Sequence, residues 1–144
     1  MKKILILNGP NLNMLGQRDS AHYGTQTLKQ INNTLQSRAK KLDLNVEFFQ
    51  SNIEGELVNK IQSFKGNAII INAGAYTHYS IAIADALKDC DKIKIEVHLS
   101  NILAREEFRH KSVIAPHCFG VISGFGAYSY MLALDYLGDI LHHE

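Results

Sequence analysis

The residues of this chain best suited to proton transfer are Glu96 and His98, in the run EVHLSN, and Tyr23, in the run RDSAHYG. Two residues apart on an extended strand, Glu96 and His98 point to one face. A carboxylate beside an imidazole fixes its tautomer and supports its protonated form, as a general acid requires. Most histidines do no chemistry, so His98 alone reads as a hydrogen-bonded structural residue, and its neighbours must change that reading. A phenol, with an ordinary pKa of about 10, is a poor base at neutral pH, but nearby guanidinium groups favour its anion. Arg18, five residues before Tyr23, offers one. The residues alone fit equally a surface loop whose tyrosine packs on its neighbours. In AREEFRHKS, Arg105 and Arg109 are four residues apart and share a face if that piece is helical. Glu106 and Glu107 could pair with them as an ordinary solvated charge run. Their place after the His98 segment favours an anionic ligand or an activated phenol nearby.

Those side chains need a scaffold, and the patterning supplies one. Short apolar runs at 3–8, 45–50, 68–72, 92–99 and 120–124 read as five strands. Helical periodicity covers 27–42, with Thr27 as N-cap, and 53–64, 78–90 and 126–143. A short helix is expected at 105–108. Strands alternating with helices imply a parallel sheet, and the continuous apolar runs KILIL and AIIIN fit strands covered on both faces. With right-handed crossovers this predicts an α/β, flavodoxin-like, doubly wound five-stranded sandwich over 1–144 as one domain.

In such a sheet ligands collect beyond the carboxyl ends of the strands. Strand one runs into Asn8 and GPNLN, strand three into NAGAYTH with Asn72 and His78, and strand four into EVHLSN. Three strand exits presenting amides, imidazoles and a hydroxyl at one rim reverse the structural reading of His98. The segment after strand one is too long for a turn. Gly16 and Gly24 flank QRDSAHY within it, which suggests a mobile lid at about 17–24.

The formal net charge of +1 gives no single-sign field that would mark a nucleic acid or membrane partner. Cys90 and Cys118 lack CxxC spacing and read as reduced cytosolic thiols. The apolar part of MKKILILNG is too short for a signal sequence, and no run approaches a membrane span. A cytoplasmic location is expected.

LNGPNLNMLG, the R-x-x-x-x-Y-G lid, NAGAYTH, IEVHLSN and AREEFR stand in the order and spacing of the type II 3-dehydroquinate dehydratases. The chain resembles that family over essentially its whole length. The resemblance implies loss of water from 3-dehydroquinate to give 3-dehydroshikimate through an enolate, with no metal, cofactor or Schiff-base lysine. It implies that Tyr23 takes the proton next to the ketone, with Arg18 supporting its anion. It makes Asn11 the holder of the water on the enolate oxygen, and His98, oriented by Glu96, the acid that protonates the departing hydroxyl. Asn72, Ser100 and the Leu99 amide would anchor the substrate carboxylate, while His78 and Arg109 would meet the ring hydroxyls. Asp85 would reach a neighbouring subunit's substrate in a dodecamer built from trimers. Two departures stand out: Asp19–Ser20 replaces the family's usual Glu-Pro in the lid, and NAGA replaces NAGG. Loss of the proline predicts a floppier lid, and Ala75 must tolerate its local backbone.

Three other classes compete. A flavin or nucleotide carrier fits the fold, but GPNLNMLG offers amides where a phosphate cradle needs glycines and hydroxyls. A binding or assembly module leaves the shared rim of Asn72, His78 and His98 unexplained. Zinc hydrolysis lacks HExxH or comparable spacing.

Overall fold

The computed structural model describes residues 1–142. Five strands, β1 (Lys2–Asn8), β2 (Leu44–Gln50), β3 (Ala68–Asn72), β4 (Ile93–His98) and β5 (Gly120–Ser123), form one parallel sheet in the order β2-β1-β3-β4-β5. Five α-helices accompany them: α1 (Ser20–Tyr23), α2 (Leu28–Lys41), α3 (Glu54–Ser63), α4 (Ile81–Lys88) and α5 (Tyr128–His142). The expected end of the last helix, His143, lies outside the described residues. Among the described residues no helix is long and apolar enough to cross a membrane.

The unbroken apolar runs follow from coverage on both faces. Along β1, Ile4 and Ile6 pack under α2 and α5 with Ile31, Leu35, Leu134 and Leu137. Leu5 and Leu7 point the other way, into a second core with Leu57 and Ile61 of α3 and Ile83 and Leu87 of α4. Strand β3 alternates likewise, with Ile70 on the first side and Ile69 and Ile71 on the second. A period-2 side chain pattern between two apolar layers leaves no polar position. The flavodoxin-like, doubly wound expectation is borne out.

Local chemistry sets the element ends. Helix α2 opens on a capping box: Thr27 Oγ1 accepts from the Gln30 amide at 3.1 Å, and Gln30 Oε1 accepts from the Thr27 amide at 2.9 Å. A bidentate Arg38–Asp135 pair, both bonds 2.7 Å, ties α2 to α5. The helix expected from residue 78 begins later, because Ser80 accepts from the Ile83 amide and caps α4 there. Before it, Gly74–His78 make a 3-10 turn. The expected helix at 105–108 is also corrected. Two 3-10 turns, Ile102–Ala104 and Glu107–Arg109, flank an extended Arg105 with φ −106° and ψ −167°. Asn101 caps the start of the first turn by accepting from the Leu103 amide, and the extended Arg105 ends it.

The sheet reverses its winding between β1 and β3, where Asn8 and Asn72 lie side by side as the last residues of their strands. The exits of these two strands interlock. The Gly9 amide donates to Asn72 O at 2.8 Å, and a Cβ on Gly9 would stand 2.5 Å from Ala73 O. Only glycine permits that approach. The rim above this junction is where the polar residues gather.

Candidate active site

Strand β4 carries Glu96 and His98 to the rim with their side chains together, as the spacing of two requires. Glu96 is fully buried, and its Oε2 lies 2.5 Å from His98 Nε2. A buried carboxylate needs donors for both oxygens; Ser112 Oγ–H donates to the other, Oε1, at 2.8 Å. With Nε2 committed to Glu96, the ring nitrogen of His98 left for a ligand is Nδ1. The imidazole of His78 stacks on that of His98 at 6.4 Å between centroids, 18° from parallel. His78 Nδ1–H donates to Lys111 O at 2.7 Å, since a carbonyl only accepts. Burial is the main cause holding the His78 pKa below the usual histidine value, with His98 and Arg109 adding to it. His78 is therefore neutral and offers Nε2 as an acceptor.

Facing these imidazoles is the segment after β1. Helix α1 is a single turn that brings Tyr23 against the first core. Arg18 lies over the Tyr23 ring, its Cζ 3.8 Å from the centroid. The phenol oxygen itself is reached by another cation, Arg105, whose Nη1–H donates to Tyr23 Oη at 2.8 Å and to Ser100 Oγ at 3.3 Å. Arg105 is held in turn by His110, whose Nε2–H donates to its carbonyl at 2.8 Å. Two guanidiniums thus flank one phenol, one over its face and one at its oxygen. A phenol oxygen that accepts from a cation keeps a further lone pair for a ligand.

The floor between the two walls is amide-rich. Asn72 is oriented by its neighbours: the Gly74 amide donates to its Oδ1 at 3.1 Å, and its Nδ2–H donates to Tyr130 Oη at 3.0 Å. Tyr130 Oη–H passes the chain on to Asn8 Oδ1 at 2.5 Å. Full burial pushes the Tyr130 phenol far above its usual range, so it stays a neutral donor. The second N–H of the Asn72 amide is left for a ligand. Asn11 sits at φ 69°, a left-handed conformation that asparagine tolerates, and its amide N–H donates to Asn52 Oδ1 at 2.9 Å.

One cavity is lined by Asn11, Arg18, Tyr23, Asn72, His78, His98, Leu99, Ser100, Arg105 and Arg109, together with Pro10, Leu12, Gly74, Ala75 and Ile102. Of the residues singled out from the sequence, Glu96 stands behind His98 without lining the cavity. Asp85 is exposed on α4, outside this cavity. Arg109 reaches the cavity while its Nε–H donates to Glu106 at 3.3 and 3.4 Å. Arg105, placed by the sequence near an anionic ligand or an activated phenol but given no role of its own, holds the phenol oxygen. Its four-residue spacing from Arg109 was the available signal, although no helix aligns the two. Ala75 needs no unusual backbone, because the left-handed residue of NAGA is Gly74, at φ 59°. In the lid, Asp19 caps α1 by accepting from the Ala21 amide at 3.0 Å, and its other oxygen lies 2.6 Å from His22 Nδ1. The segment lacking a proline thus has a capped turn.

The cavity joins a flanked phenol, a carboxylate-backed imidazole and a bed of amides and guanidiniums that suits a carboxylate-bearing, hydroxylated ligand. Among the described residues no group of three or more His, Cys, Asp or Glu is placed to hold a metal ion.

A family model described as dehydroquinase class II matches residues 2–138. The 3-dehydroquinate dehydratase of Caldicellulosiruptor bescii is 56% identical over 144 residues, covering 98% of this chain and 99% of its own length. That of Clostridium perfringens is 55% identical over 138 residues, covering 94% of this chain and 96% of its own. Among solved structures, a type II dehydroquinase from Butyrivibrio crossotus superposes with a TM-score of 0.92 at 47% identity, over 94% of this chain and 97% of that one.

Proposed function

This chain belongs to the class II dehydroquinase family, and from that premise we propose how its cavity eliminates water from 3-dehydroquinate to give 3-dehydroshikimate. The activity is that of a hydro-lyase of the shikimate pathway. Tyr23, as its anion between Arg18 and Arg105, abstracts the proton next to the ketone. The electrons move into an enolate, whose oxygen is met by a water held on Asn11. His98 then delivers a proton from Nδ1 to the departing hydroxyl, and water leaves as the enolate collapses to the conjugated enone. Glu96 holds the imidazolium. Asn72, Ser100 and the Leu99 amide bind the substrate carboxylate, and neutral His78 with Arg109 binds the ring hydroxyls.

One observation carries this reading. Tyr23 Oη accepts from Arg105 while facing the same cavity as His98 backed by buried Glu96, so a candidate base and acid share one site. Incubation with 3-dehydroquinate tests it: ultraviolet absorbance of the conjugated enone should grow with time, and no growth rejects the activity. The route uses no metal or imine, so turnover should survive exhaustive chelation and borohydride treatment with substrate present. Inactivation by either reagent points to another mechanism. The flavin or nucleotide carrier finds no support among the relatives described.

Residues 1–144 act as one catalytic domain whose lid, at about 17–24, opens and closes over the substrate between Gly16 and Gly24, both at positive φ. We assign the chain to the cytoplasm, consistent with free Cys90 and Cys118. It assembles as a dodecamer of trimers in which Asp85 reaches a neighbour's substrate. Ile81, 61% exposed and one helical turn from Asp85 on α4, supports a covered face there. Light scattering should give about twelve times the 16.1 kDa chain mass. A monomer would reject the assembly.

A further inference from the structure

We propose that Ser112 is a positioning residue that sets the proton affinity of His98 through Glu96; its catalytic consequence rests on the dehydratase reading above. Ser112 lies outside the cavity lining. Its hydroxyl is nevertheless tightly specified. The Ala115 amide donates to Ser112 Oγ at 3.0 Å, and the Ser112 proton goes to Glu96 Oε1 at 2.8 Å. Glu96 Oε2 is occupied by His98 Nε2, and the carboxylate is fully buried. Serine and histidine together therefore supply the hydrogen bonds seen at this anion.

The same stretch holds the second imidazole. Lys111 O fixes the tautomer of His78, and the Val113 amide donates to Thr77 O at 2.9 Å, next to it. Lys111 O and the Ser112 hydroxyl thus join the hydrogen-bond networks of the two stacked rings from outside the cavity lining.

Charge accounting gives the direction of the effect. With His98 neutral, the pair carries one net negative charge, and the Ser112 hydroxyl disperses it. With His98 protonated, the imidazolium does most of that work. The hydroxyl therefore stabilises the unprotonated pair more and lowers its proton affinity. In the elimination, the Nδ1 proton passes to the leaving oxygen, the C–O electron pair goes with that oxygen, and neutral His98 remains beside the Glu96 carboxylate. Ser112 supports that product state. Other charged or titratable groups face the pair. His78 stacks on His98, Cys118 lies near Glu96, and Arg105, Arg109 and Tyr23 approach from the cavity. Burial and the Glu96 charge push the Cys118 thiol up to about 12, so it stays neutral.

The test uses the full chain and needs no substrate for its first part. Titration of His98 followed by NMR of the imidazole nitrogens should show its midpoint rising by about one unit in Ser112→Ala, the scale of one charge-assisted hydrogen bond. Ser112→Cys, which fills the same space with a weak donor, should move it the same way. Ser112→Thr, which keeps the hydroxyl, should restore the wild-type midpoint. With 3-dehydroquinate, kcat of Ser112→Ala should fall, by up to roughly tenfold for one unit of acid strength, with KM within about twofold and the basic limb moved upward. An unmoved midpoint in the alanine and cysteine variants overturns the proposal, as does an equal shift in the threonine variant. A shifted midpoint in a chain that fails to turn over 3-dehydroquinate upholds the positioning role and rejects the dehydratase reading instead.

Discussion

On the proposed mechanism Tyr23 is the side chain on which turnover depends most, because it pairs an ionisable oxygen with two guanidiniums. Tyr23→Phe removes that oxygen and leaves the ring that packs on the first core. The variant should keep its thermal midpoint and lose about 10²- to 10⁴-fold in kcat, the usual contribution of a positioned acid or base. Near-normal turnover would dismiss the phenol as base. His78 gives a prediction of a different kind. Burial lowers its folded-state pKa, so the unfolded chain binds a proton first as pH falls. Stability from the neutral ring is present above the unfolded value, about 6.5, and is lost as pH falls through the lowered folded one. Denaturant titrations between pH 8 and 5 should show the wild type losing ground to His78→Asn across that window. Parallel pH dependence of the two proteins would show that the ring is not buried neutral.

At the scale of elements, the interlocked exits of β1 and β3 and the single turn of α1 do the positioning. Gly9→Ala puts a Cβ against the backbone of Ala73, which has no flexible end to move aside. Overpacking of this kind costs about 1–3 kcal/mol, and it pulls Asn8 and Asn72 out of register. The variant should melt earlier and lose activity beyond what its lower stability explains. An unchanged melting curve would mean the strand exits part easily. In the lid, Asp19 combines an N-cap with a bond to His22, and that bond is the main cause holding its carboxyl below the usual range. Asp19→Ala should raise amide exchange across 19–24 without changing global unfolding. Unaltered exchange would remove the cap from the account of lid order. The cap contribution is present above the ordinary carboxyl value and lost as pH falls through the lowered one.

The molecule as a whole is a two-sided sandwich with its polar residues gathered at one rim of the sheet. Cores on both faces of the sheet fix where β1, β3 and β4 end, and those ends place Asn8, Asn72 and His98. Under the proposed mechanism, strand ends hold the acid and the carboxylate-binding amides, while the base sits on the segment between Gly16 and Gly24. That division suits an enzyme that must admit a substrate and then exclude water. Leu103, Phe108, Phe119 and Phe125 are exposed and lie outside both cores.

The α/β order, the five strands, and the pairing of Glu96 with His98 were all legible in the sequence, because period, capping chemistry and strand alternation are local properties. Thr27 could be read as a cap since its partner lies three residues away. The helix expected at 105–108 is instead two short turns on either side of an extended Arg105. Which guanidinium meets the Tyr23 oxygen was decided only in three dimensions: the sequence placed Arg105 and Arg109 near an activated phenol, but Arg105 is 82 residues from Tyr23 and no local pattern chooses between the two arginines. Tyr130, which orients Asn72 and reaches Asn8 across 122 residues, reads in sequence as one more helical core residue. Ser112 was equally silent, as a hydroxyl has no periodicity to betray it. Local patterns determine which elements form and which face is apolar, but contacts across the sheet depend on how both cores pack, a property of the whole chain at once.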